Sequence, residues 1–274
     1  MTCYRHPGRE TYVSCSECGR PICTECTTPA PVGQRCPEHA GRARGLRSTQ
    51  SRVRRTAYEG TGALVTKALI AINVGVYLAE VAQGSGWSAN SGKIFEKGAL
   101  YGPAVANGDW WRLLTAAFLH YGPIHLAMNM FALWLLGTPL ELALGRGRYL
   151  LLYLVSGLAG SAGALVATPN AVTVGASGAI FGILGAMLIL EYQATGTFLG
   201  QAGVLIAVNL AFTFTVSNIS IGGHIGGLVG GVLGVLALSR FGRGQAVYGR
   251  VGLVGLASLV AIGGLSVAIA YWAA

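Results

Sequence analysis

Seven mostly apolar stretches constrain this chain more than any other feature. They run at about Leu64–Val81, Pro123–Leu140, Tyr149–Ala167, Ser177–Tyr192, Phe198–Val216, Gly222–Leu238 and Val251–Trp272. Crossing the hydrocarbon core takes about 20 such residues in a helix, and lipid offers no partner for an unpaired backbone group. Each stretch is therefore predicted to be a membrane helix. Composition agrees: 11% of the residues are charged, where a soluble domain carries about 25%. The 42 glycines predict helices that approach closely through small residues. The fold class is all-α, polytopic and membrane-embedded.

The formal net charge of +9 invites a nucleic-acid reading. Its distribution argues against one. Arg42, Arg44, Arg47, Arg52, Arg54 and Arg55 form a run just ahead of the first apolar stretch. Such a run sets topology and contacts anionic lipid headgroups. Membrane lipids are thus an expected partner and nucleic acid is not. With the N-terminus inside, these arginines, Lys67, Arg146, Arg148, Arg240, Arg243 and Arg250 are cytoplasmic, and only Lys93, Lys97 and Arg112 lie outside. Seven spans then place the C-terminus outside. The first apolar stretch begins behind a polar head, so no secretory signal peptide is expected. Residues 82–122 are mixed and carry Trp87, Phe95, Tyr101, Trp110 and Trp111, as suits a loop at the membrane–water interface.

All six cysteines lie between Cys3 and Cys36. With two histidines they form the pairs Cys3-x2-His6, Cys15-x2-Cys18, Cys23-x2-Cys26 and Cys36-x2-His39. Eight such ligands suit two tetrahedral Zn²⁺ ions with no position left for water. A head of about 40 residues buries too little apolar surface to fold alone, so metal is the natural staple. Disulfides are the competing reading. A reducing cytosol opposes them, and the histidines would have no part in them. The pattern resembles the B-box family of zinc modules, although the last pair is Cys-x2-His where that family has His-x2-His. The resemblance implies a cross-brace, with Cys3, His6, Cys23 and Cys26 on one ion and Cys15, Cys18, Cys36 and His39 on the other. It also implies a protein-interaction module with an unknown protein partner.

Polar residues in an apolar background are costly and mark function. Ser177 opens the fourth span within Gly175-Ala176-Ser177-Gly178, and His224 opens the sixth within Gly222-Gly223-His224-Ile225-Gly226-Gly227. By topology both lie near the outer face. Ser177 reads either as a helix cap or as a nucleophile beside amides that point at a developing oxyanion. His224 reads as its base or as a structural histidine. Gly178, Gly182 and Gly185 on one span, and Gly223, Gly226, Gly227, Gly230, Gly231 and Gly234 on the other, would bring the two helices together. His125 and Asn129 share a face of the second span. They read as oxyanion donors or as interhelical hydrogen-bonding groups. No carboxylate has an obvious claim to orient His224, so the residues support a Ser–His dyad.

These motifs resemble the rhomboid family: Trp111-Arg112, Phe118-Leu119-His120, His125-x3-Asn129, Gly137-x3-Glu141, Gly175-x-Ser177-Gly178 and Gly223-His224 with Gly227. The resemblance covers about residues 64–240. It implies an intramembrane serine endopeptidase of transmembrane-protein substrates, working without metal or nucleotide. Ser177 would be the nucleophile and His224 the base, with His125, Asn129 and the Ser177 amide as the oxyanion hole. Arg112 and Glu141 would be structural, and His120 would lie near the site. The expected organisation is a zinc module over 1–40, a basic linker over 41–63, a six-helix core over 64–240, and a loop and seventh helix over 241–274. The expected location is a bacterial plasma membrane. Many members of the family carry tyrosine four residues after the nucleophile, where this chain has Phe181. A catalytically inactive relative that binds and escorts membrane proteins is the competing reading, although such relatives generally lack the serine or the histidine.

Overall fold

The structure, a computed structural model, describes residues 1–29, 33–39, 62–217, 219–238 and 253–274. The arginine-rich run, most of the expected linker, and the start of the loop and seventh helix lie outside the described residues. The chain divides into two compact units, 1–58 and 59–274.

In the first unit, short β1 (Thr28–Pro29) and β2 (Gln34–Arg35) pair antiparallel, and its other described residues form turns, isolated bridges and one turn of 3₁₀ helix. Among the described residues, Ile22 is the one fully buried non-cysteine apolar side chain in its core, beside Cys3, Cys15, Cys23, Cys26 and Cys36, with Tyr4 packed against them. Three of the four ligand pairs close by the same local bond. His6, Cys26 and His39 each donate their backbone N–H to the carbonyl of the cysteine three residues earlier, at 3.1, 2.9 and 3.0 Å. An i→i+3 turn puts both ligands of a pair on one side of the backbone.

The second unit is helical. Its elements are α1 (Leu64–Glu80), short α2 (Lys93–Gly98), α3 (Gly102–Ala106) and α4 (Arg112–Thr115), then α5 (Gly122–Ala132), α6 (Thr138–Leu144), α7 (Arg146–Ala167), α8 (Ser177–Thr195), α9 (Gln201–Thr215), α10 (Ile221–Leu238) and α11 (Leu253–Ala273). A π turn at Leu133–Gly137 joins α5 to α6 into one span. Pro139 lacks the N–H that would bond the Leu135 carbonyl, which widens the helix there.

Six of the seven expected spans are long and apolar enough to cross a membrane: Leu64–Gly84, Gly122–Leu144, Arg146–Ala167, Ser177–Thr195, Ile221–Leu238 and Leu253–Ala273. The chain is an integral, multi-pass membrane protein. The fifth stretch differs from expectation. Helix α9 holds 15 residues, about 22 Å of helix against a core of about 30 Å. The backbone turns extended at Val216 (φ −100°, ψ 124°), and α9 does not begin until Gln201. Apolar sequence on either side had lengthened the predicted span.

Two buried or half-buried carboxylates that a bilayer would otherwise reject serve as helix caps. Glu141, 1% exposed, accepts the backbone N–H groups of Val65 (3.0 Å) and Thr66 (2.8 Å) at the start of α1, and the Thr66 hydroxyl at 2.8 Å. Glu191 accepts the N–H groups of Gln201 and Ala202 at the start of α9, both at 2.8 Å. Each answers amides that have no partner inside their own helix, with the charge that the helix dipole favours. A side chain at Gly137 would collide with the Tyr149 hydroxyl, so the Gly137-x3-Glu141 motif combines one close helix approach with one cap.

Helix α10 packs against both α7 and α8, more extensively against α7. A Cβ on Gly227 would overlap the Gly178 carbonyl, one on Gly231 would overlap Gly182, and one on Gly226 would overlap the Ala159 carbonyl. The glycine surface predicted between α8 and α10 is present, and α7 is an additional partner to it.

Residues 82–122 are more ordered than a surface loop requires. Arg112, 9% exposed, pairs with Asp109 at 2.9 Å and donates to the carbonyls of Glu96 and Ala99, both at 2.8 Å. This cation ties α2 and α4 together. Trp87 and Trp110 are exposed, as an interfacial role requires, but Phe95 is buried against Tyr121.

Candidate active site

The segment ahead of α8 delivers Ser177, and it is tied to the interfacial region. Leu100 and Thr173 exchange backbone hydrogen bonds at 3.1 and 3.0 Å, Gly102 N–H bonds the Pro169 carbonyl at 2.9 Å, and Gly175 N–H bonds the Ala116 carbonyl at 2.9 Å. Gly175 takes φ 127°, a conformation L side chains rarely adopt. A Cβ there would also sit 2.9 Å from His125 Nε2 and 3.8 Å from Ser177 Oγ. The imidazole and the hydroxyl thus face the same small space, which only glycine leaves open.

Ser177 is the first residue of α8. The first bond of the helical ladder runs from Ile180 N–H to the Ala176 carbonyl at 3.0 Å, so the amides of Ser177, Gly178 and Ala179 precede the ladder. They form the positive end of the helix dipole. His224 lies in the first turn of α10, 8% exposed, and its Nε2 is 2.9 Å from Ser177 Oγ. The Phe181 ring stacks on the imidazole at 4.1 Å between centroids and 18° between planes. The other ring nitrogen, Nδ1, is 2.7 Å from Thr213 Oγ1.

His125 accepts the Tyr121 backbone N–H at Nδ1, 3.2 Å away. A neutral ring that accepts at Nδ1 carries its hydrogen on Nε2, the nitrogen that faces the Gly175 gap. Asn129 donates one amide hydrogen to the His125 carbonyl at 2.9 Å and keeps the second. The His120 ring is fully buried with its centroid 5.1 Å from that of His125. Ser177, His224 and His125 therefore converge on one place. Asn129 is tied to His125 through the His125 carbonyl.

The sequence of the membrane unit has relatives among known proteins. The family described as Rhomboid domain matches residues 107–241. The putative rhomboid protease YdcA of Bacillus subtilis (strain 168) is 41% identical over 138 residues, which cover 48% of this chain and 69% of that protein. The chain belongs to the rhomboid family. The rhomboid protease GluP of the same bacterium is 46% identical over 158 residues, 56% of this chain and 31% of GluP. RHOMBOID-like protein 7 of Arabidopsis thaliana is 39% identical over 157 residues, 54% of this chain and 50% of the relative. This rhomboid thus spans less than a third of GluP and half of the Arabidopsis protein. The family match includes Ser177, His224, His125 and Asn129 and begins well after the cysteine-rich head.

Thr213 is the site residue that sequence reasoning missed. Its signal was faint: Asn209 and Thr213, four residues apart, are the polar pair that shares a face of α9. Threonine is common enough in membrane helices that the pair did not stand out.

The head groups its ligands into the two sets Cys3, His6, Cys23, Cys26 and Cys15, Cys18, Cys36, His39, each with ligand atoms within 4.8 Å of one another. Around His6 Nδ1 the sulfurs of Cys3, Cys23 and Cys26 lie at 3.8, 3.3 and 3.4 Å. In the second set, Cys36 Sγ is 3.2 Å from His39 Nδ1 and 3.9 Å from Cys18 Sγ. Tetrahedral Zn²⁺ with bonds of about 2.3 Å to sulfur and 2.0–2.1 Å to nitrogen requires edges of about 3.6–3.8 Å. The donor sets fit that ion. Burial opposes ionisation of the Cys3 thiol, but the backbone N–H groups of Cys23, Arg5 and His6 outweigh it and hold its pKa at about 6. Cys15 is held at about 6 in the same way, by the amides of Cys36, Cys18 and Glu17. Both thiols are poised toward the thiolate that a metal requires.

Proposed function

We propose that this rhomboid is an intramembrane serine endopeptidase that cleaves transmembrane-protein substrates near the outer membrane face through a Ser177–His224 dyad. The observation that carries the reading is the 2.9 Å approach of His224 Nε2 to Ser177 Oγ at two helix starts. It supplies a nucleophile and base within hydrogen-bond reach.

His224 Nε2 takes the Ser177 proton as Oγ attacks the substrate carbonyl carbon. The negative charge that develops on the carbonyl oxygen meets His125 Nε2–H, the free Asn129 amide hydrogen and the Ser177 backbone N–H. Collapse breaks the C–N bond, and the leaving amine takes the proton from His224. Water then attacks the acyl-enzyme with His224 again as base, which releases the carboxylic acid and restores Ser177. Phe181 holds the ring by stacking, without the hydrogen bond a tyrosine would add.

A carbonyl inside a helix is already bonded, so the substrate helix must unwind at the cut. Substrates with Gly, Pro or small residues near the outer end of the span should be cleaved faster than all-leucine counterparts. Equal rates for such a matched pair would overturn that preference. The N-terminus is cytoplasmic and the C-terminus outside in this reading, on the weight of the arginines named above.

The head, over 1–40, holds two Zn²⁺ ions in the cross-braced sets. With four protein ligands each, the ions supply folding energy and no chemistry. The head's role is to bind a protein partner, and residues 41–63 link it to the protease core over 64–240.

The test is cleavage of a tagged single-span substrate in reconstituted vesicles by wild type, Ser177→Ala and His224→Ala. The proposal requires cleavage by wild type and its loss in both variants. Cleavage that survives Ser177→Ala would assign the nucleophile elsewhere.

A further inference from the structure

We propose that Thr213 is a positioning residue that fixes the tautomer of His224, so that the working unit is Ser177–His224–Thr213. The inference rests on reading Ser177 and His224 as the protease dyad, and adds a member on α9.

Hydrogen-bond direction at Thr213 assigns the tautomer. Thr213 Oγ1 lies 2.7 Å from the Asn209 carbonyl oxygen and 2.7 Å from His224 Nδ1. A carbonyl oxygen only accepts, so the single hydroxyl hydrogen of Thr213 goes to Asn209. Toward His224 the hydroxyl then offers a lone pair, and Nδ1 must carry the hydrogen. The neutral ring has one hydrogen, so Nε2 is left with a lone pair facing Ser177 Oγ at 2.9 Å. That is the tautomer a general base needs. The opposite tautomer would direct an N–H at the nucleophile and leave the proton of Ser177 with no acceptor.

Burial gives the arrangement its force. Thr213 is 2% exposed and His224 is 8% exposed, so bulk water does not compete for Nδ1. The helix supplies the anchor, since Asn209 lies four residues before Thr213 on α9. While its hydrogen is directed at the Asn209 carbonyl of its own helix, the hydroxyl presents a lone pair to the ring. During proton transfer the same oxygen accepts from the imidazolium, the form in which such a bond is strongest. Hydroxyl and carbonyl thus do with neutral groups what a carboxylate does in a Ser–His–Asp triad.

The test uses the full chain in vesicles and four substitutions. In Thr213→Val, which keeps shape and removes the acceptor, kcat should fall about 10- to 100-fold with KM unchanged. This is less than the roughly 10⁴-fold seen where a triad carboxylate becomes an amide that enforces the wrong tautomer. Thr213→Ser should restore kcat to within about threefold, because the hydroxyl returns. Ser177→Ala run alongside reports on the dyad itself. The second readout is the ¹⁵N spectrum of histidine-labelled protein, with the His224 signals identified by their loss in His224→Asn. Wild type and Thr213→Ser should show a protonated Nδ1 and a bare Nε2, and Thr213→Val should lose that preference. A wild-type His224 protonated at Nε2, a Thr213→Val enzyme with wild-type kcat, or a serine variant as slow as the valine one would each overturn the proposal. If wild type shows no Ser177-dependent cleavage, the dyad reading fails, and the tautomer measurement still decides whether Thr213 sets the ring.

Discussion

The two units of this chain build their interiors from opposite materials. The head has Ile22 and five cysteines at its centre, so most of what it buries is ligand. The membrane unit has backbone at one central contact: beside an apolar cluster that includes Leu133, Tyr149, Leu152 and Ile183, the glycines Gly178, Gly182, Gly227 and Gly231 let α8 and α10 meet main chain to main chain. The proposed metal ions would give the head the order that its small apolar interior does not supply. At the contact between α8 and α10, order depends instead on the absence of side chains, because helices in lipid gain little from burying apolar surface against one another.

The contact between α8 and α10 is where the membrane unit tolerates a side chain least. Gly227→Leu forces a side chain into the Gly178 carbonyl. It should abolish Ser177-dependent cleavage and lower the melting temperature of the membrane unit, while metal analysis still finds two zinc ions per chain. Loss of zinc together with activity would show that the units depend on each other. The reciprocal experiment is chelation with a strong zinc chelator. It should unfold the head, read by protease sensitivity of residues 1–39, and leave cleavage of a reporter within about threefold of the untreated enzyme. A collapse of cleavage would instead make the head a switch on the protease.

Smaller effects separate chemistry from architecture inside the membrane unit. His125→Ala removes one donor facing the Gly175 gap, and kcat should fall about 10²- to 10³-fold with little change in stability. An unchanged kcat would remove His125 from the oxyanion role. Phe181→Ala removes the ring stacked on His224 and should cost about tenfold in rate, in keeping with the roughly 0.5–1.5 kcal/mol of an aromatic pair. Phe181→Tyr should stay near wild type. Glu141→Gln leaves the α1 amides with a neutral acceptor, and thermal unfolding should report a loss of about 1 kcal/mol with activity nearly intact.

Much of the site was legible in sequence because its members are rare where they occur. Ser177 and His224 stand among glycines and aliphatics, and a polar group in lipid announces itself through its solvation cost. The ligand pairs of the head were legible because a cysteine and its partner three residues on close through a local turn. The rest depended on tertiary structure. The length of α9 is set by Glu191, which reaches its amides from the preceding helix, and hydropathy alone does not register such a cap. The order of residues 82–122 comes from Arg112 bonding carbonyls of residues 96 and 99. The role of α7 was hidden because its contribution to the close packing includes Ala159 and Ser156 beside its glycines. Thr213 was hidden because its importance lies in which group receives its one hydrogen.

The central claim, that His224 activates Ser177, is tested most directly by covalent labelling. Reconstituted protein would be reacted with a fluorophosphonate and the adduct located by peptide mass spectrometry in wild type, His224→Ala and Ser177→Ala. A single adduct on Ser177 is expected, forming far more slowly in His224→Ala and not at all in Ser177→Ala. An adduct on another residue, or one on Ser177 that forms equally fast without His224, would contradict it.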